Sequence, residues 1–189
     1  MLKTFILLLV FTTVASAVSN VEKSTGVKFP DSVNGLELAG VGVRKKGPLK
    51  VYALGLYTSP SKSPRASLFG LLRSQPKSTL LMQLTFNSVT GPKMASALSS
   101  SLSSRFKEKD SIQQLSDIIV YGASKQKKVG KGTIFQFNCT PSKIDVSINN
   151  DDCGSTEAEG IGKAFVDIYL DEKGVSKGLK EDLIENWGE

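Results

Sequence analysis

The chain has 189 residues, 40% of them hydrophobic and 22% charged, with a formal net charge of +6; this suits one domain with a real core and argues against disorder. It contains no histidine and only two cysteines, which excludes histidine triads, histidine metal sites and a cysteine-only zinc site. The 24 basic residues are scattered, with no long basic run interleaved with aromatics, so nucleic-acid binding is not expected and a solvated basic surface is.

The amino terminus reads as a secretory leader. Met1-Leu2-Lys3 is positive, Phe5 to Phe11 is unbroken apolar sequence, and Ala15-Ser16-Ala17 has the small-x-small form of a cleavage site. The apolar stretch is shorter than the roughly 20 residues a membrane span needs. Residues 1–17 are therefore expected to be removed, leaving 18–189 as one domain without a transmembrane segment. The expected location is the secretory pathway, secreted or lumenal, or an organelle reached through the endoplasmic reticulum. An oxidising compartment makes Cys139 and Cys153 a candidate disulfide; two separate thiols are the alternative. Asn138-Cys139-Thr140 has the form of a glycosylation sequon on Asn138.

Val21 to Phe29 is polar and ends at Pro30, and Asn34-Gly35 has turn chemistry. Leu36 to Tyr57, LELAGVGVRKKGPLKVYALGLY, reads as two strands around a basic turn. Alternation in the first places Leu38, Gly40, Gly42 and Arg44 on one face and Ala39, Val41 and Val43 on the other. The two glycines are expected to leave a gap in front of the Arg44 guanidinium. In the second strand Tyr52, Leu54 and Leu56 share a face, with Val51, Ala53, Gly55 and Tyr57 opposite; both faces are apolar, which predicts a central, doubly covered strand. If the strands pair, Arg44 and the Tyr52 hydroxyl point into one apolar cavity, a site for a single anionic group on an apolar ligand. The competing reading leaves Arg44 in water as the start of the turn Arg44-Lys45-Lys46.

Ser59 to Pro64 reads as a loop and Arg65 to Arg73 as a short helix with Leu68, Phe69 and Leu72 on one side. Ser78 to Asn87 alternates Leu80, Met82, Leu84 and Phe86, a strand pattern. Thr90-Gly91-Pro92 starts a helix, with Thr90 as cap, whose inner face is Met94, Ala97, Leu98, Ser101, Leu102, Arg105 and Phe106. A second helix is predicted from about Ser111 to Val120, with Ile112, Leu115 and Ile119 inward. Lys125 to Lys131 is a basic loop. Thr133–Cys139 and Lys143–Asn149 predict a hairpin whose inner side is Phe135, Phe137, Ile144, Val146 and Ile148. Asn149 to Ser155 reads as a polar turn, and Thr156 to Asp171 as a helix with Glu159 in a capping box. Ser176 or Lys177 to Trp187 reads as a last helix with Leu179, Leu183 and Ile184 inward. Strands, helices, a hairpin and more helices predict an α+β domain with a mostly antiparallel sheet covered by helices.

In order and spacing these pieces resemble the chalcone-isomerase fold, and in particular its non-catalytic fatty-acid-binding branch. The resemblance spans roughly Val27 to Leu183. It rests on Gly42-Val43-Arg44, Lys50-Val51-Tyr52-Ala53-Leu54-Gly55-Leu56-Tyr57, the helix entry Val89-Thr90-Gly91, the run Gly130-Lys131-Gly132, and Asp167-Ile168-Tyr169-Leu170 ahead of Val175-Ser176. It implies an open-faced β-sandwich. It also implies that Arg44 is the arginine which faces the reacting oxyanion in isomerases and the lipid carboxylate in the binders. Tyr52 stands where the binders have an assisting tyrosine and the isomerases a catalytic threonine. Met94 and Ser101 stand where isomerases carry a tyrosine and an asparagine, and Ile168 and Tyr169 where a small hydroxyl residue lines their pocket. Cyclising a chalcone needs donors at a developing oxyanion, and each lost donor costs on the order of 100-fold in rate.

The expected function is accordingly binding of a fatty acid or similar apolar carboxylate. Arg44 would pair with the carboxylate, Tyr52 would donate to it, Ser101 is a further donor, and Leu54, Leu84, Met94, Leu98 and Ile168 would line the tail pocket. No cofactor or metal is expected, and the protein should be a monomer. The alternatives are a chalcone–flavanone isomerase (an intramolecular lyase, with Arg44 its catalytic residue) and a non-catalytic accessory protein.

Overall fold

A computed structural model describes residues 20–59 and 76–185. The expected leader and the expected helix at 65–73 lie outside these residues. The chain starts with a two-stranded ribbon, β1 (Val21–Glu22) and β2 (Val27–Lys28). It continues as a seven-stranded sheet of β3 (Ser32–Val33), β4 (Leu36–Lys46), β5 (Leu49–Thr58), β6 (Ser78–Leu84), β7 (Ile134–Thr140), β8 (Lys143–Ile148) and β9 (Asp151–Glu157). The spatial order equals the chain order and every pair is antiparallel, a curled meander. Helices α1 (Gly91–Ser103) and α2 (Lys109–Lys125) are inserted between β6 and β7, and α3 (Ile161–Leu170) and α4 (Lys177–Glu185) follow β9.

The four helices of the described residues pack on one face. There Tyr52, Leu54 and Leu56 of β5, Leu80, Met82 and Leu84 of β6, and Phe135 and Phe137 of β7 meet Leu98, Leu115, Phe165, Leu179 and Leu183. Phe137 packs on Phe165 with ring centroids 4.8 Å apart and planes tilted by 44°, and Phe165 meets Tyr169 edge-on at 6.2 Å. The other face of β4 and β5 carries a smaller core of Val27, Phe29, Leu36, Leu38, Val41, Ala53 and Tyr57. β5 is thus central and covered on both sides, as its two apolar faces predict.

Several boundaries differ from the sequence reading for identifiable reasons. Ala39 is an extra residue opposite the Leu38↔Tyr57 and Gly40↔Leu56 pairs. This bulge turns Leu38 to the smaller core, away from the face of Gly40, Gly42 and Arg44. β4 runs through Lys46, and the chain reverses at Gly47-Pro48, where Gly47 takes φ 58°. Arg44 is therefore strand, not turn. The glycines do not leave a gap before it either. A Cβ on Gly40 would lie 1.8 Å from the Leu183 carbonyl oxygen, and one on Gly42 2.8 Å from Leu179 Cδ1; the bare backbone admits α4.

The polar stretch after Asn149 is not a loop. Asn149 and Asn150 take φ 52° and 71°, a tight reversal suited to asparagine, and β9 follows as a polar edge strand. α3 consequently begins later than predicted. Its cap is Gly160 at φ 83° with no side-chain bond, so Glu159 forms no capping box. The β6 ladder stops at Leu84. Thr90 does cap α1, accepting from the Lys93 amide at 3.4 Å, but α1 ends before Arg105.

Two cysteine readings change. Cys139 and Cys153 are free thiols. They stand on β7 and β9, which flank β8, and two strand spacings of about 4.8 Å each exceed the reach of a disulfide, about 7 Å between Cα atoms. Cys153 sits instead at a β9 bulge against the bare backbone of Gly122. Asn138 lies within β7, paired with Thr79 and Asp145, not at a strand end. Its Oδ1 accepts from Asn34 Nδ2 at 2.9 Å, Thr79 Oγ1 at 2.9 Å and Gln136 Nε2 at 3.0 Å.

Candidate ligand-binding site

On the helix side of the sheet, a cavity of about 500 Å³ opens between the outer end of β4 and β5, the inner face of α1 and the end of α3. Its size falls within the roughly 300–1,000 Å³ of small-molecule sites. Val51 and Tyr52 come from β5, and Phe86 and Val89 from the segment entering α1. Met94, Ala97, Leu98 and Ser101 come from α1, Ile168 and Tyr169 from α3, and Val175 from the following loop. Three cations, Arg44, Lys46 and Lys93, also line it, and among the described residues no carboxylate does. The cavity is a greasy pocket with a positive opening.

The helix positions that form this wall follow from local sequence. Met94, Leu98 and Ser101 recur at three- and four-residue spacing on α1, which stacks them on one face. The end of α1 is held by Arg105. Its Nε and Nη2 donate to Asp171 Oδ2 and Oδ1 at 2.8 and 2.9 Å, and Nη1 to the Ser101 carbonyl at 2.6 Å. Such a two-pronged pair fixes orientation as well as distance. It ties α1 to the turn after α3 and so holds both helical walls of the cavity together.

Arg44 and Tyr52 are direct cross-strand partners, so their side chains leave the sheet on the same side. Arg44 is half-buried, and its Nη1 donates to the Lys45 carbonyl at 2.9 Å. Tyr52 is buried. Burial raises its phenol well above the ordinary value, while the Arg44 charge and the neighbouring Tyr169 hydroxyl draw it part of the way back. The Tyr169 phenol is also raised, first by burial and then by Tyr52 and Cys139. Both hydroxyls are protonated across the physiological range and act as donors.

Tyr169 is 1% exposed, yet its Oη has no hydrogen-bond partner of normal geometry among the described residues. The Tyr52 hydroxyl interacts with it, each phenol shifting the other, and a buried hydroxyl without a well-made bond costs about 1–3 kcal/mol.

Of the residues expected at the site, Arg44, Tyr52, Met94, Leu98, Ser101 and Ile168 are brought together around this cavity. Leu54 and Leu84 are not. Both are fully buried in the main core and do not line the space; alternation gave them the face of Tyr52, but the helices cover that face beyond Tyr52. The sequence reading named Tyr169 without giving its hydroxyl a part, and missed Lys46 and Lys93. α3 is buried at every position except Lys163, and a helix apolar nearly all round presents consecutive residues to the interior. That pattern was the available signal for Tyr169 beside Ile168.

A family model described as chalcone isomerase-like matches residues 18–185. The chain belongs to this family. It is similar to an Arabidopsis thaliana protein called fatty-acid-binding protein 1, with 24% identity over 195 aligned residues that cover 89% of this chain and 70% of that protein. Its structure is similar to a crystal structure of an Arabidopsis thaliana fatty-acid-binding protein, with a TM-score of 0.69 and 23% identity. That match covers 88% of this chain and 95% of the other. At that identity the structural likeness establishes the fold alone, and the α+β architecture of the chalcone isomerase-like family is the one observed here.

Among the described residues, no helix is long and apolar enough to cross a membrane, and no three metal-ligating side chains cluster.

Proposed function

We propose that this chalcone isomerase-like protein is a non-catalytic binder of a fatty acid or a similar single-chain carboxylate. The observation that carries the reading is the cross-strand pair Arg44 and Tyr52, which lines one apolar cavity with a positive opening. A carboxylate there accepts from the Tyr52 phenol and pairs with the guanidinium, which matches the positive opening. The acyl chain lies along Met94, Leu98, Ile168 and Val175. At about 30 Å³ per carbon group, the share of a liquid water, a cavity of about 500 Å³ has room for on the order of 17 such groups, the carboxyl included. The names of the Arabidopsis relatives agree with this ligand class.

Met94 in the cavity wall supports binding over catalysis, because a thioether offers no proton to a developing oxyanion. From the leader-like residues 1–17 we also propose that they are removed and that the mature protein, residues 18–189, is secreted, lumenal or in an organelle reached through the endoplasmic reticulum; amino-terminal sequencing of the mature protein tests this. Native mass spectrometry of protein purified without added ligand tests the function. A bound mass matching a fatty acid, lost on Arg44→Ala, is the expected result. An empty protein that also fails to bind added fatty acids overturns it, and acceleration of chalcone cyclisation over the spontaneous rate would favour the isomerase instead.

A further inference from the structure

We propose that the β4–β5 hairpin tip and the entry of α1 form a docking surface for an anionic lipid bilayer, set at the mouth of the cavity. The route this gives an acyl chain rests on the proposed fatty-acid binding, whereas the docking does not. Leu49 sits just past the Gly47-Pro48 reversal and is 44% exposed. It is directly opposite Lys46, and the next pair along the hairpin is Lys45 with Lys50. Leu49 and Lys46 line the cavity together with Arg44 and with Lys93 from the first turn of α1, which places an apolar tip and three cations around one opening.

Among the described residues, no acidic side chain pairs with Arg44, Lys46 or Lys93. Arg44 and Lys93 donate to backbone carbonyls, of Lys45 and Ser88, and Lys50 Nζ donates to the Ser24 carbonyl. Glu22, Asp182 and Glu185 line a separate recess together with Lys45. Among the described residues, the other exposed large hydrophobic side chains are Val120 and Tyr121 on α2, and the Tyr121 ring is covered by Lys125 Nζ at 4.1 Å. Of these three, Leu49 is the one that stands beside the cations of the cavity mouth.

This pairing fits a bilayer better than an acidic protein. One apolar residue inserts into the headgroup region while the lysines remain at the level of the phosphates, and apolar and electrostatic attraction together give reversible binding. Contact at that point also joins two apolar phases, the acyl layer and the cavity, so that a chain moves between them with little exposure to water.

The experiment is co-sedimentation of the mature protein with phosphatidylcholine vesicles, with and without phosphatidylglycerol, at low and high salt. Binding to the anionic vesicles alone is expected, with release at high salt as charges are screened. Each lysine at an anionic surface contributes about fivefold to partitioning, so K46E/K93E should weaken binding by at least about 25-fold, and Leu49→Ser by about fivefold. All three positions are exposed, and thermal melts check that the variants fold. Absence of binding to anionic vesicles, or equal binding by the variants, overturns the proposal; so does self-association or capture of an acidic polypeptide in place of vesicle binding. Fatty-acid titration without vesicles separates the two readings. Ligand binding without docking refutes only the docking surface, and docking without ligand binding refutes only the cavity's assignment.

Discussion

Replacing Arg44 by alanine removes the one guanidinium that lines the cavity among the described residues, while touching little else in the fold. Its Nη1 donates to the carbonyl of its own neighbour, Lys45, at 2.9 Å. The strand pairing with Tyr52 is made by backbone and survives the change. A hydrogen bond to a charged group contributes about 1.5–3 kcal/mol. Arg44 is only half-buried, so water screens part of the attraction and a value near 2 kcal/mol is appropriate. At 1.4 kcal/mol per tenfold, that is about a 30-fold loss of fatty-acid affinity. Titration with a fluorescent fatty acid reads the change directly, and the melting temperature should stay within about 3 °C of the parent. Arg44→Lys should recover only part of the loss, because an ammonium restores the charge without the planar fork. An unchanged dissociation constant in a folded Arg44→Ala protein would refute the assignment of the carboxylate to this end of the cavity.

Three further outcomes follow from other parts of the structure. Tyr169→Phe keeps the ring against Phe165 but deletes the unpaired hydroxyl; unliganded stability should hold or rise by up to about 1 kcal/mol while fatty-acid affinity falls about fivefold. A lower melting temperature for the empty variant would mean that the hydroxyl is already satisfied. Gly40→Ala sets a methyl 1.8 Å from the Leu183 carbonyl oxygen, so α4 must move away, and urea unfolding should show a loss of about 3 kcal/mol. For Glu22, burial by itself raises the carboxyl, but hydrogen bonds from Thr25 and Ser24 outweigh it and hold the group below its ordinary 4.5. A lowered folded value means that its stabilisation is complete above that pH and is lost as pH falls through the folded value. Glu22→Gln should therefore flatten the acid limb of a plot of urea midpoint against pH, and an unchanged limb would remove Glu22 from the account.

Much of this protein is written in local pattern. The doubly apolar run of β5, the alternation of Leu80, Met82 and Leu84, the aromatic pair Phe135 and Phe137, and the Thr90 cap are each set by contiguous residues. Side-chain periodicity along one segment is enough to find them. The same holds for Arg44 and Tyr52, because two strands joined by a tight reversal bring their partners together with no help from the rest of the chain. Packing between distant segments decided the rest. Gly40 and Gly42 resemble an open floor until Leu179 and Leu183, far along the chain, are seen to occupy it. Leu54 and Leu84 share a face with Tyr52 but lie under helices whose crossing no strand pattern encodes. β9 was hidden because an edge strand with polar side chains has backbone pairing as its main signature. Sequence alone determined the strands with apolar alternation and the pairing of Arg44 with Tyr52. Where the cavity ends, and that Tyr169 lines it beside Ile168, depended on how the described helices settle on one sheet, a balance of contacts among residues remote in sequence.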